Sequence, residues 1–369
     1  MEKYNSSNER IKRKYLIFLK QAKGQNEASI DAVAKAIVRF ESYNKYRDFK
    51  AFHFEQAIGF KKHLANQTHH KTGRPLSRAT MNGTVRHLKA FIEWLSQEAG
   101  YKSRIKYSDA EYFNLSEKEA RAAKATRQKP VASVEQIKHV LAMMPNETAI
   151  ERRDRALIAF TLLTGARDSA IASLKLKHLD IEAGTVYQDA REVNTKFSKS
   201  FTTSFFPVGD DVRDIVVQWV EYLRRDPLMG NDAPLFPKTR MSQGSDNSFQ
   251  VAGLSNDHWS SAAAIRKIFK QAFISAELPP FNPHSFRNTL AALGERLCHS
   301  AEEFKAWSQN LGHEGVLTTL YSYGEVQTHR QVELIQQLGK PGEATGLAFS
   351  PEDIAKAVAI EMKKSARVR

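Results

Sequence analysis

The sequence predicts a mainly α-helical protein with a small antiparallel β-sheet, divided into a helical first domain and a mixed second domain. Apolar residues recur at helical spacing through most of the 369 residues. Near residues 176–188, two short apolar runs flank a Gly-containing turn, which predicts a strand, a turn and a strand. The charge also divides the chain. Residues 1–130 hold 27 Lys and Arg against 13 Asp and Glu, whereas the remainder holds 28 of each.

The first domain, residues 1–105, is predicted to be a small helical bundle. Ser6 and Glu9 have the spacing of a capping box that opens the first helix. A second helix is expected from about Ser29 and a third near residues 54–64. Ser77 has the position of a cap for a long fourth helix that ends before Gly100. Four helices in about 90 residues are typical of a bundle.

A basic linker is predicted over residues 106–130, because this stretch is charged and poor in large aliphatic residues. The second domain, residues 131–340, opens with a capping box at Ser133 and Gln136. A tail helix is expected within residues 341–369.

Within the second domain, strands are predicted at residues 176–181, 185–188 and 202–208. The Ser-, Gly- and Asn-rich segment at residues 242–256 predicts a loop. The rest of this domain is expected to be mostly helical.

Composition limits the class of protein. The single cysteine, Cys298, excludes an intrachain disulfide and fits a reducing compartment. No apolar run approaches the roughly 20 residues that span a bilayer, and the N-terminus has no signal-peptide pattern. We therefore expect a soluble, cytoplasmic protein. The net charge of +14 in the first third fits a domain that binds a polyanion, although a basic surface without a partner remains open.

Five elements follow one another in the second domain, and each is weak evidence alone. They are Thr164-Gly165-Ala166-Arg167, the segment from Leu174 to Asp180, Asn194-Thr195-Lys196, His284-Ser285-Phe286-Arg287, and Leu311-Gly312-His313 with Tyr321 and Tyr323 behind it. In this order they resemble the catalytic domain of the tyrosine recombinase, or phage integrase, family, over about residues 131–335. The helical first third resembles that family's core-binding, SAM-like domain much less specifically.

The chemistry of these residue types fits the resemblance. Attack on a phosphodiester builds negative charge on the phosphate oxygens, and in the absence of metal, protein cations must stabilise it. Guanidinium groups match phosphate oxygens, so Arg167 and Arg287 are the candidate phosphate clamps. Each could instead form a surface salt bridge. His284 lies one turn before Arg287 on the same helix face, and its alternative is a core or helix-capping histidine.

The resemblance implies a site-specific integrase that cleaves and rejoins DNA through a 3′-phosphotyrosine, with no metal, ATP or cofactor. It implies that His284 transfers protons and that His313 donates a hydrogen bond to the phosphate. It implies that Lys196 protonates the departing 5′ oxygen, with Lys199 as a competitor.

The nucleophile requires a choice between two tyrosines. In the family it falls about nine residues after the histidine of Leu-Gly-His, and Ser322 occupies that position here. We select Tyr323 over Tyr321, because Ser322-Tyr323-Gly324 resembles the nucleophile segment of one branch of the family.

One position departs from the family pattern. An acidic residue often lies three positions after the first arginine, where this chain has Ala170. Asp168 follows Arg167 directly instead. If an acidic residue orients the arginine, Asp168 or another group must do so.

The resemblance also implies partners: double-stranded DNA, a homotetramer on two paired sites, and room for an accessory DNA-bending protein. It places the protein at the nucleoid and its gene on a mobile genetic element. Two alternatives stay open. One is an enzyme like the type IB topoisomerases, and the other is a catalytically silent DNA-binding regulator on the same fold.

Overall fold

A computed structural model describes residues 4–68, 72–124, 130–243 and 247–313. The chain divides into two units, Met1–Thr126 and Arg127–Arg369. Among the described residues, no helix combines the length and the apolar character needed to cross a membrane.

The first unit is helical. Its helices are α1 (Ser6–Ile17), α2 (Glu27–Tyr43), α3 (Phe54–Ala65), α4 (Arg78–Leu95) and α5 (Glu117–Lys124), with a π-helical turn at Phe18–Ala22 and 3₁₀ turns at Phe49–Ala51 and Tyr107–Phe113. Ser77 is confirmed as the cap of α4, because its hydroxyl accepts a hydrogen bond from the Thr80 amide at 3.0 Å. The cap of α1 is Asn5 instead of Ser6, since Asn5 accepts from the amides of Ser7 and Asn8.

Aromatic rings fill the core of the first unit. The Phe40 and Phe60 ring centroids are 5.2 Å apart with the rings perpendicular, and Phe40 and Phe113 are 5.6 Å apart. Phe113 is fully buried, although it lies in the segment predicted to be linker. Residues Tyr107–Phe113 therefore belong to the first unit. The segment has few large apolar residues, but Phe113 is one of them and lies in the core.

The second unit contains seven described helices. They are α6 (Val134–Met143), α7 (Ala149–Thr164), α8 (Asp168–Ile171), α9 (Asp210–Arg225), α10 (Ala263–Ser275), α11 (Pro283–Leu297) and α12 (Ala301–Asn310). The capping box of Ser133 and Gln136 is confirmed at the start of α6. A second box, Thr148 and Glu151, opens α7. Residues 156–164 of α7 are all buried, so this helix forms the centre of the unit.

A three-stranded antiparallel sheet joins these helices in the order β1 (Leu179–Asp180), β2 (Thr185–Gln188) and β3 (Phe201–Ser204). The first strand is shorter than predicted, because Leu176–His178 forms a 3₁₀ turn. The connection between β2 and β3 contains Lys196.

The segment predicted to be a loop forms a second hairpin, β4 (Thr239–Gln243) and β5 (Phe249–Leu254). The loop prediction was wrong. The hairpin could not be recognised in the sequence because none of the side chains in either strand is fully buried. A hairpin without a buried face has no alternation of apolar and polar residues for a sequence to display. The predicted tail helix lies outside the described residues.

Candidate active site

The turn after α7 positions the first candidate arginine. Gly165 ends the helix at φ +59°, a backbone conformation that favours glycine. A Cβ on Gly165 would also lie 2.8 Å from Leu311 Cδ2, so a larger residue does not fit. The chain then reverses, and Arg167 becomes the N-terminal flanking residue of α8.

The Arg167 guanidinium is partly buried, and this burial lowers its pKa. Within the described ranges, no side chain or carbonyl accepts a hydrogen bond from it. A buried cation without an acceptor is unfavourable. An anion bound beside Arg167 would remove that penalty.

Arg287 is only 4% exposed and joins three segments of the second unit. Its Nη1 donates to the Gly165 carbonyl at 2.6 Å, at the end of α7. Its Nη2 donates to the Leu311 carbonyl at 2.5 Å, just after α12. The same nitrogen lies 2.8 Å from His313 Nε2. Arg287 therefore holds the site together as well as contributing charge to it.

His313 is the neutral partner of this arginine. Burial, together with the nearby charges of Arg287 and Arg167, lowers its pKa to about 4. Because a guanidinium can only donate, Nε2 of His313 accepts, and the ring hydrogen is assigned to Nδ1. Gly312, at φ +69°, lets the chain pass close to Phe201, whose Cζ would lie 2.7 Å from an added Cβ.

His284 is the second residue of α11 and is exposed. Asn282 caps this helix by accepting from the Ser285 amide at 3.1 Å, so His284 does not serve as the cap. Although the side chain stays accessible to solvent, desolvation by the surrounding protein lowers the His284 pKa, and the charges of Arg287 and Arg167 lower it further. His284 is accordingly neutral at pH 7 and able to accept a proton.

A cleft of about 330 Å³ connects several of these groups. It is lined by Arg167, Asp168, Arg266, Asn282, Pro283 and His284. Arg266 belongs to none of the five sequence elements, and its Nε lies 2.6 Å from Asp168 Oδ2. The carboxylate of Asp168 thus pairs with Arg266, and no sequence signal links two residues that lie 98 positions apart.

Lys196 is exposed at the start of a 3₁₀ turn between β2 and β3. Its charge contributes to lowering the pKa of both His284 and His313, which places it near the cleft. Its connection is attached to α8 and the residues just after it, because the Asn194 amide donates to the Ser173 hydroxyl at 2.9 Å. Lys199 is also exposed.

The two candidate nucleophiles, Tyr321 and Tyr323, lie outside the described residues. In the part of the chain that the structure describes, no group of three His, Cys, Asp or Glu side chains is arranged to hold a metal ion. The described site brings Arg167, Arg287, His284 and His313 together with Lys196 nearby. Such a set can stabilise charge on a phosphate and move protons.

Known proteins resemble this chain in sequence and in fold. The chain matches the phage integrase family over residues 131–330. Tyrosine recombinase XerC of Halalkalibacterium halodurans is 22% identical over 317 residues, which cover 85% of this chain and 91% of XerC. Tyrosine recombinase XerD of Vibrio cholerae is 22% identical over 309 residues, which cover 82% of this chain and 84% of XerD.

Solved structures show the same fold. A lambda integrase (75–356) dimer bound to a COC′ core site superimposes with a TM-score of 0.59 at 12% identity, covering 87% of this chain and 96% of that one. The Tn1549 transposon integrase in complex with transposon right end DNA superimposes with a TM-score of 0.58 at 14% identity. The superposition covers 89% of this chain and 99% of that one. With the family match extending over more than half of its length, the chain belongs to the phage integrase family.

Proposed function

We propose that this protein is a site-specific DNA recombinase that cleaves and rejoins double-stranded DNA through a phosphotyrosine intermediate. The observation that carries the proposal is Arg167. It is partly buried beside His284 in a cleft, and no described residue accepts its hydrogen bonds. A DNA phosphate supplies the acceptor that such an arginine lacks.

Cleavage begins with attack of the Tyr323 hydroxyl oxygen on the scissile phosphorus. A phenol with a pKa near 10 is mostly protonated at neutral pH, so it needs a base. Neutral His284 takes that proton. The bond from phosphorus to the 5′ oxygen breaks, and Lys196 protonates the departing oxygen. The products are a 3′-phosphotyrosine and a free 5′ hydroxyl.

Rejoining reverses these steps with a new partner. The oxygen of a 5′ hydroxyl on another strand attacks the phosphotyrosine phosphorus, and that hydroxyl gives its proton to Lys196. The bond from phosphorus to the tyrosine oxygen breaks, and His284 returns its proton to that oxygen. The ester keeps the energy of the original phosphodiester, so the cycle uses no ATP. The cations of Arg167 and Arg287 stabilise the charge that develops in both directions. We assign to His313 the donation of a hydrogen bond to the phosphate, while its Nε2 accepts from Arg287.

The proposal extends to the assembly. Recombination joins two DNA sites, so we propose a homotetramer on paired sites, located at the nucleoid and aided by an accessory DNA-bending protein. The lambda integrase relative is a dimer on a core site, which supports assembly on DNA. The basic residues 1–130 supply sequence-independent phosphate contacts.

The test is covalent capture on nicked duplexes tiled across the DNA that flanks the gene. The nick lets the 5′ fragment diffuse away, so a cleaved strand stays attached to the protein. Wild type and Tyr321→Phe should form the adduct, whereas Tyr323→Phe should not. The reverse pattern would identify Tyr321 as the nucleophile, and no adduct with any duplex would reject the proposal.

The alternatives give other outcomes. A topoisomerase would relax a supercoiled plasmid that lacks any specific site. A silent regulator would bind duplexes without forming an adduct.

A further inference from the structure

The rim of the cleft contains an arginine outside the five sequence elements. Arg266 lies near the start of α10, and its side chain is 62% exposed. Its Nε is bonded to Asp168 Oδ2. Elsewhere in residues 4–68, 72–124, 130–243 and 247–313, nothing accepts a hydrogen bond from its two terminal nitrogens. One edge of this guanidinium is therefore held by protein and the other is presented to solvent.

Asp168 is itself fixed in place. Its Oδ1 accepts from the Ser169 amide at 2.9 Å, and it occupies the first position of α8. Its side chain is 22% exposed. Because Asp168 directly follows Arg167, the pair with Arg266 places the second arginine alongside the first in one cleft.

The ion pair between Asp168 and Arg266 changes how the cleft interacts with an anion. A bare carboxylate at Asp168 would repel a phosphate entering the cleft, and Arg266 offsets that charge. The terminal nitrogens of a guanidinium bind two phosphate oxygens in parallel. Arg266 can do so while its Nε remains bonded to Asp168.

We propose that Arg266 binds a DNA phosphate through its terminal nitrogens, with Asp168 as the residue that positions it. This inference rests on the proposed function. DNA presents phosphates in series along each strand, so Arg167 contacts the scissile phosphate and Arg266 contacts its neighbour on the same strand.

The first measurement is the salt dependence of binding to a mixed-sequence duplex. Each phosphate contact contributes about 0.9 to the slope of log affinity against log salt concentration. Arg266→Ala should lower the slope by about 0.9. The matched control is Arg225→Ala, because Arg225 also bonds an aspartate, Asp226, through Nε at 3.0 Å and lies outside the cleft lining. An unchanged slope for Arg266→Ala would overturn the inference.

A double mutant separates phosphate binding from mere neutralisation of Asp168. If Arg266 binds phosphate, Arg266→Ala should weaken DNA binding in the wild type and again in an Asp168→Asn background. If Arg266 only offsets the carboxylate, its removal should have no effect once Asp168 is neutral. Thermal unfolding of each variant checks that the fold is retained.

Covalent capture shows whether a negative result rejects the role of Arg266 or the proposed function. No adduct from the wild type on any nicked duplex would reject the recombinase proposal, while the salt slope would still decide the role of Arg266. Where the adduct forms, a neutral methylphosphonate at the neighbouring phosphate should slow the wild type roughly as much as Arg266→Ala does. It should slow Arg266→Ala no further. Equal slowing of both proteins would reject the assignment.

Discussion

Two arginines of the site carry the same charge but have different partners. Arg287 is buried and donates to the carbonyls of Gly165 and Leu311, whereas Arg167 has no described acceptor. The first contributes to folding, and we propose that the second binds the DNA phosphate. Substitution of Arg287 should therefore lower stability, whereas substitution of Arg167 should lower activity with little effect on stability.

We expect Arg287→Ala to lower the free energy of unfolding by about 3 kcal/mol, because two buried carbonyls lose their donor. Arg167→Ala should change it by less than about 0.5 kcal/mol, while the cleavage rate falls by roughly 100-fold or more, as for loss of one charge-stabilising donor. Urea unfolding measures the change in stability, and single-turnover cleavage measures the change in rate. Equal stability losses would show that Arg167 has a structural partner.

The lowered pKa of His313 makes stability depend on pH. The folded protein holds this ring neutral down to about pH 4, whereas an unfolded chain protonates it near pH 6.5. The unfolded state therefore binds more protons between these values, and the contribution of His313 is complete above pH 6.5 and lost as the pH falls towards 4.

Compared with His313→Gln, wild type should lose up to roughly 3 kcal/mol of unfolding free energy between pH 6.5 and 4. The measurement is urea unfolding of both proteins across this range, with the difference plotted against pH. A difference that stays constant with pH would contradict the assignment of a neutral ring.

At the scale of elements, the turn that ends α7 combines two constraints on one residue. Gly165 has a positive φ, and a Cβ there would overlap Leu311 Cδ2 and approach Leu290 Cδ1 at 3.0 Å. Gly184 also has a positive φ, but a Cβ there would meet only the Phe205 side chain, at 3.4 Å or more, which is an ordinary contact. Comparing alanine substitutions at the two glycines therefore distinguishes the cost of backbone strain from the cost of steric overlap.

Gly184→Ala should lower the unfolding free energy by about 1 kcal/mol, from strain alone. Gly165→Ala should lower it by about 3 kcal/mol, since overpacking adds a further 1–3. It should also slow cleavage, because the Gly165 carbonyl holds Arg287. Thermal unfolding compares them, and similar losses would mean that Leu311 moves aside easily.

The sequence predicted elements where local chemistry decides structure. Ser133 with Gln136 and Ser77 have recognisable cap spacing, and both caps are observed. The β4–β5 hairpin was missed because its side chains face solvent on most positions. Phe113 was missed because its burial depends on Phe40, 73 positions earlier.

The site divides in the same way. Residue types and their order gave the candidates for the side chains that carry chemistry, and of these Arg167 and His284 line one cleft. The bond between Arg287 and His313 and the pairing of Asp168 with Arg266 depend on tertiary folding. No local pattern predicts such contacts. Assignment of Tyr323 stays a prediction.

At the scale of the whole molecule, each unit has a hydrophobic core of its own. The formal excess of positive charge belongs to residues 1–130, and residues 131–369 are neutral overall. Sequence-independent affinity for DNA should therefore come mainly from the first unit.

We expect a fragment of residues 127–369 to bind a mixed-sequence duplex with a smaller salt slope than the full chain and with an affinity at least about tenfold lower in low salt. Fluorescence anisotropy over a range of KCl concentrations gives both quantities, and circular dichroism confirms that the fragment is folded. Equal slopes would place the phosphate contacts in the second unit.

The contacts by which Arg287 joins three segments also affect which residues would persist in inactive descendants of such an enzyme. A lineage that no longer needs DNA cleavage still needs its three segments held together, so selection for a folded protein would preserve this arginine. Arg167 holds no segments together in the part of the chain that the structure describes, so it would drift first. Among related genes, the residue at the Arg167 position is therefore the better indicator of a working enzyme.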